Sequence, residues 1–152
     1  MHRVYLDLCV LKRPFDDQSQ PRIWLETQAV SLIIQAIQDG QVELAGSSLL
    51  DFENSQNPWP LRRDAVARWL DLAKLVQRLT AEVEQRGAEL RGLGLGAIDA
   101  LHLACAEAVG ADVFVTCDDQ VRRRYSGKLC TLLPADCATV FQEASDGDQS
   151  TQ

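Results

Sequence analysis

Residues 3–11 read RVYLDLCVL, an apolar run near the start of the chain that is interrupted by one carboxylate, Asp7. Apolar side chains on both faces suit a strand at the centre of a parallel sheet, covered above and below by helices. An ionised Asp in such a strand costs several kcal/mol of desolvation unless a cation or strong hydrogen bonds compensate it. Asp7 is therefore expected to be either a capped structural acid or part of a cation site.

Working outward, residues 12–20 (KRPFDDQSQ) form a polar loop, and Pro21 stands where the first turn of a helix accepts proline. Ile23, Trp24, Ala29, Val30, Ile33, Ile34 and Ile37 then recur at helical spacing until Gly40 stops the helix. Residues 41–46 (QVELAG) read as a short strand, and Ser48 with Asp51 reads as a capping box opening the next helix. Pro58 and Pro60 keep that helix short. The pattern predicts further helices over 61–74, 80–91, 97–109, 118–125 and 135–144, and strands over 75–79, 112–117 and 128–133. Residues 1–144 are expected to form one domain, and the polar stretch 145–152 (SDGDQSTQ) a disordered tail. Strands alternating with helices imply right-handed crossovers, hence a three-layer α/β/α fold with a central, mostly parallel five-stranded sheet.

At 152 residues and 46% hydrophobic content, the chain can bury a single sizeable core. Its net charge of -7 excludes a broadly basic surface that coats nucleic acid. Local basic clusters remain, at Arg62, Arg63 and Arg68 and at Arg122, Arg123 and Arg124, which can be solvated helix faces or phosphate contacts. Five cysteines without a CxxC pair suggest neither a disulfide framework nor a zinc ribbon, so a reducing, cytoplasmic setting is expected. No apolar stretch approaches the roughly 20 residues of a membrane span, so no membrane partner is expected.

In parallel α/β sheets, sites form beyond the carboxyl ends of the strands. Asp7 lies near the end of the first strand, and Asp118 directly follows the apolar strand VFVTC. Glu53 shares a helix face with Leu49 and Leu50, and Asp99 sits within the stripe Leu95, Ile98, His102 and Cys105. Each alone reads equally as a cap, a strand-end acid or a rim ion pair. Together they predict one acidic crevice of the kind that oxygen-ligated Mg²⁺ or Mn²⁺ requires. His102 reads as a satisfied core histidine, and Asp16 and Asp17 as loop acids. The stretch GLGLGA (92–97) follows a helix rather than a strand, which makes it a helix-to-helix turn, not a nucleotide-binding loop. A haloacid-dehalogenase-type site would want a second Asp where Cys9 stands, and a receiver domain would want paired acids and a late Lys that are missing.

The motifs YLDLCVLKRPF, SSLLDFE, GAIDALHLACAEAVGADVFVT and TCDD, in this order, resemble those of PIN-domain nucleases, the family that includes the toxin halves of VapBC-type toxin-antitoxin pairs. The resemblance covers residues 3 to about 141. It implies a PIN-like fold and a metal-dependent endoribonuclease with Asp7, Glu53, Asp99 and Asp118 as the acidic, Mg²⁺- or Mn²⁺-holding residues. Thr116 would be the hydroxyl beside the last acid, with the Thr-x-Asp spacing favouring Asp118 over Asp119. It further implies an RNA substrate, a cognate antitoxin and a homodimer. Lys12, Arg13, Arg122 and Arg123 are the charge-based candidates for holding the RNA backbone. Where the family usually has Thr-Asn after the first Asp, this chain has Leu8-Cys9, which removes two side chains that orient a ligating carboxylate. The alternative reading is a catalytically degenerate PIN domain that binds RNA or a protein without cleaving.

Overall fold

The structure is a computed structural model that describes residues 2–150, with side chains as far as residue 144. The strands are β1 (His2–Leu6), β2 (Val42–Ser47), β3 (Leu75–Gln77), β4 (Val113–Val115) and β5 (Cys130–Leu132). They form one sheet in the order β3-β2-β1-β4-β5, and every pairing is parallel. The helices are α1 (Leu8–Lys12), α2 (Pro21–Gln38), α3 (Ser48–Ser55), α4 (Pro60–Leu70), α5 (Ala81–Arg91), α6 (Ala97–Ala108), α7 (Asp119–Arg124) and α8 (Pro134–Ser150). A 3-10 turn, Arg13–Phe15, joins α1 to the loop before α2.

Val4, Tyr5 and Leu6 of β1 are all buried, as are Val113, Phe114 and Val115 of β4. Because successive strand residues point to opposite faces, burial of three in a row means that both faces of the sheet are covered. The result is a three-layer α/β/α sandwich, as expected. α2 packs on α8 and α5 on α6, and their apolar faces supply core residues such as Ile33, Leu90 and Leu103. Among the described residues no helix is long and apolar enough to cross a membrane. All five cysteines are free thiols.

The sequence expectation is corrected at three places. The run 3–11 is not one strand: β1 ends at Leu6, and residues 8–12 are helical. An uninterrupted apolar run carries no period that separates strand from helix. Asp7 decides the matter, because its backbone N–H still bonds Val115 O in the sheet while its side chain accepts from Leu8 N and starts α1. The cap of α3 is Ser47 rather than Ser48: its backbone is extended, and Oγ accepts from Leu50 N at 3.1 Å. At the other end of the chain, α8 continues to Ser150 where a tail was expected from residue 145. Extending an existing helix fixes one residue per hydrogen bond gained, so poor helix formers can follow a packed segment. Residues 151 and 152 of that expected tail lie outside the described residues.

Ser47 carries two duties, since its buried Oγ both caps α3 and hydrogen-bonds Tyr5 Oη at 2.7 Å. Ser47→Ala is expected to cost about 2 kcal/mol, about one for the cap and about one for the lost hydrogen bond to Tyr5. Thermal unfolding should show this as a fall in Tm of roughly 4–8 °C.

Candidate active site

The carboxyl ends of β1, β2 and β4 open into a cleft of about 370 Å³ lined by Asp7, Glu53, Asp99 and Asp118 together with Leu8, Cys9, Lys12 and Asp16. All four acids singled out in the sequence face it, and among the described residues Lys12 is the one cation that lines it. Arg13 and Arg123 line an adjoining cleft that shares Cys9 and Asp118 with the first. Arg122 lines neither, and its guanidinium lies 3.8 Å from Asp119.

Asp7 is buried at the junction of β1 and α1. Its Oδ1 accepts from Leu8 N at 2.8 Å, and its Oδ2 accepts from Thr116 Oγ1 at 3.0 Å and from the Cys9 thiol at 3.4 Å. Thr116, fully buried just after β4, also accepts from Asp118 N at 3.2 Å. One hydroxyl therefore ties the first acid to the last. Contact with Cys117, burial and the charge of Asp7 push the Cys9 thiol up, which keeps it protonated as a donor to Asp7. Asp118 caps α7 through Oδ1, which accepts from Gln120 N and Val121 N, so Oδ2 is left for the cleft. Asp119 is turned away, its Oδ2 held by Arg22 at 3.1 Å.

Glu53, on α3, is held differently. Its Oε1 bonds Nε2 of His102, a residue of α6 that is only 1% exposed. His102 Nδ1 is 2.7 Å from Tyr5 Oη, which is 2.7 Å from Ser47 Oγ. One proton order pairs every member: Nε2–H donates to Glu53, Tyr5 Oη–H donates to Nδ1, and Ser47 Oγ–H donates to Tyr5. Burial, first, holds the Tyr5 phenol well above its ordinary value and so keeps it a donor. His102 is thus the satisfied core histidine that was expected, but it also positions an acid. The sequence signals missed were Tyr5 and Ser47, two hydroxyls in otherwise apolar strands.

Asp99 is the half-buried acid in the first turn of α6, where the helix dipole favours negative charge. Its carboxylate accepts no hydrogen bond from the described residues. Burial, then the charges of Asp7 and Asp118, push its carboxyl above the ordinary value, with a smaller push from Glu53 and an opposing effect of His102. Arg13 is largely committed elsewhere: Nη1 meets Asp16 at 3.0 Å and Nε lies 3.4 Å from the buried Glu26. Arg123 has no ion-pair partner among the described residues and is exposed beside Asp118.

A family model described as PIN domain matches residues 4–127. The chain belongs to the PIN-domain family. PIN domains are generally nucleases that use divalent metals, so membership bears on the chemistry of the cleft. Among solved structures, this PIN domain is similar to a chain in the crystal structure of VapBC2 from Rickettsia felis bound to a DNA fragment from their promoter. The TM-score is 0.57 at 15% identity, over 86% of this chain and 98% of that one, which shows a shared fold. Comparison with curated proteins gives no match.

Among the described residues, no three His, Cys, Asp or Glu side chains converge closely enough to clasp one ion together. A hydrated divalent ion does not require that: Mg²⁺ is commonly held by one or two carboxylates, with water completing the octahedron. The unpartnered Asp99, the free oxygen of Asp118 and the mutual repulsion of the four acids fit such an ion. In the PIN domain as it stands, Asp99 binds its proton more tightly when folded than when unfolded. The folded state then holds more protons, and the contribution of Asp99 to stability falls as pH rises through its folded value. In chelator at neutral pH, Asp99→Asn is therefore expected to raise Tm, and the two proteins should converge below the ordinary carboxylate pKa. The same variant should lose most of the Tm increase that Mn²⁺ gives the wild type. Melts in chelator and in Mn²⁺ across this pH range check both.

Proposed function

We propose that this PIN domain is a Mg²⁺- or Mn²⁺-dependent endoribonuclease and the toxin component of a toxin-antitoxin pair. The observation that carries the reading is the convergence of Asp7, Glu53, Asp99 and Asp118 on one cleft in a chain of a nuclease family. In this reading Asp7 and Asp99 are direct ligands, and Glu53 and Asp118 are direct or water-mediated ones. A divalent ion held there supplies positive charge for the scissile phosphate and lowers the pKa of the attacking water.

The residues of the chain do the rest. Thr116 and Leu8 N fix both oxygens of Asp7, and His102 fixes Glu53, so two of the four carboxylates are set before substrate arrives. Lys12, on the wall of the cleft, and Arg123, beside Asp118, are placed to meet backbone phosphates on either side. Leu8-Cys9 favours the second reading, a module that binds RNA or a protein without cleaving. Against it stands Thr116, which supplies the hydroxyl that Leu8 lacks, together with the Cys9 thiol on the same oxygen.

The antitoxin proposal draws on the likeness to a chain of VapBC2, and the partner would neutralise the acidic cleft with cationic side chains. A homodimer is part of the same proposal, and exposed Leu25 and Leu32 beside α8 offer it an apolar surface.

Partner-free protein is expected to cleave single-stranded RNA with Mg²⁺ or Mn²⁺ and to stop in excess chelator; cleavage that persists in chelator overturns the reading. Asp7→Asn should lower the rate at least ~100-fold while Tm stays within a few degrees, because Asn also caps a helix. Thr116→Val should raise the Mn²⁺ concentration needed for half-maximal cleavage by roughly 10–100-fold, the usual effect of losing a group that orients a ligand.

A further inference from the structure

Next to the acidic cleft, and sharing Lys12 and Asp16 with it, lies a groove of about 200 Å³ walled by Phe15, Asn57, Trp59 and Arg62. Trp59 is the unusual member. The residue is 60% exposed, so the core does not explain a large aromatic there. Its backbone is nevertheless held from several directions. It stands between Pro58 and Pro60, and a following proline restricts a residue to the extended conformation found here, φ -100 and ψ 103. Its N–H donates to Oδ1 of the buried Asn57 at 3.1 Å, and its carbonyl accepts from Arg63 N at 2.9 Å. The Arg63 side chain in turn donates to Asn57 O at 3.3 Å. The backbone that carries the ring is therefore fixed at the rim of the groove.

The surroundings point to what packs there. The Arg62 guanidinium lies 5.1 Å from the centre of the Trp59 ring, and Lys12 lies on the wall common to both clefts. Neither cation makes an ion pair with any described residue. The Arg62 guanidinium lies over one face of the indole, which leaves the other face for a base, and a π-face with two cations free of ion pairs beside it matches a base with phosphates on either side, the combination by which proteins hold single strands without reading their sequence. It also answers a problem of the cleft itself: four carboxylates repel a polyanion, and a cationic, aromatic edge gives it a foothold.

We propose that Trp59, braced by Pro58 and Pro60 and flanked by Arg62 and Lys12, is a stacking platform for an unpaired base of the RNA substrate, adjacent to the nucleotide whose phosphate enters the acidic cleft. The proposal rests on the ribonuclease reading above and names how that site takes hold of its substrate.

The test is the affinity of the full chain, in chelator so that nothing is cut, for a fluorescein-labelled single-stranded RNA and for an abasic strand of the same length. The wild type should bind the RNA more tightly than the abasic strand. Trp59→Ala should weaken RNA binding about 10-fold or more and abolish that difference, while Trp59→Phe keeps most of it. Arg62→Ala should weaken both strands alike. RNA should quench tryptophan emission in the wild type but much less in Trp59→Phe, which also serves if the alanine variant fails to fold. Equal RNA affinity of wild type and a folded Trp59→Ala overturns the platform and leaves the ring to a protein partner, as does failure of the wild type to bind. Cleavage of the same RNA in Mg²⁺ separates the two claims. A wild type that cleaves, with Trp59→Ala binding unchanged, sinks the platform alone; Trp59-dependent binding without cleavage sinks the ribonuclease reading alone.

Discussion

A carboxylate at the end of a central strand must have its charge met on the spot, and the way this protein meets that of Asp7 organises everything around it. Three donors do so, the amide of Leu8, the hydroxyl of Thr116 and the thiol of Cys9. The first turns a strand into a helix, and the second joins the ends of β1 and β4, which are neighbours in the sheet. Because all five strands run in parallel, the helices that follow β1, β2 and β4 begin at the same edge. Two of the four acids, Asp7 and Asp118, cap the first and last of those helices, where unsatisfied amide groups favour negative charge, while Glu53 stands in the last turn of α3. α6 brings the fourth in its own first turn.

The second support is internal. The chain of contacts from Ser47 through Tyr5 and His102 to Glu53 crosses the sheet inside an otherwise apolar core. Polar groups at that depth are costly unless every one is paired, and here a single proton order pairs them all. The cap of α3 and the orientation of its acid are therefore coupled: a change at Ser47 alters what His102 can offer Glu53. Stacking of Tyr5 on Phe114, with ring centres 5.5 Å apart, fixes the tyrosine from the other strand.

Much of this was legible in the sequence because the signals were strong and local. Pro21 marks a helix start, and five short apolar runs mark five strands. The acids stood out because each interrupted an apolar pattern. What escaped depended on tertiary context. Nothing in RVYLDLCVL says where strand gives way to helix, since both would bury the same residues. The relay escaped because Tyr5, Ser47 and His102 are far apart in sequence and each looks like ordinary core. Arg13 looked free to meet phosphate, yet Asp16 and the buried Glu26 claim it, a competition visible only when α2 is packed. Nothing in the sequence marks Trp59 between its two prolines, and its exposure is evident only in the fold.

The four acids sit at positions 7, 53, 99 and 118, one to each of four segments spread along the chain. Contacts between such distant segments form only after long loops close. During synthesis, which proceeds from the N-terminus, the first three acids leave the ribosome without a complete cleft. β4, which Thr116 directly follows, must still insert beside β1. Until it does, Asp7 lacks its hydroxyl and Asp118 its place. The order of segments thus delays the full set of four carboxylates until the sheet is nearly finished.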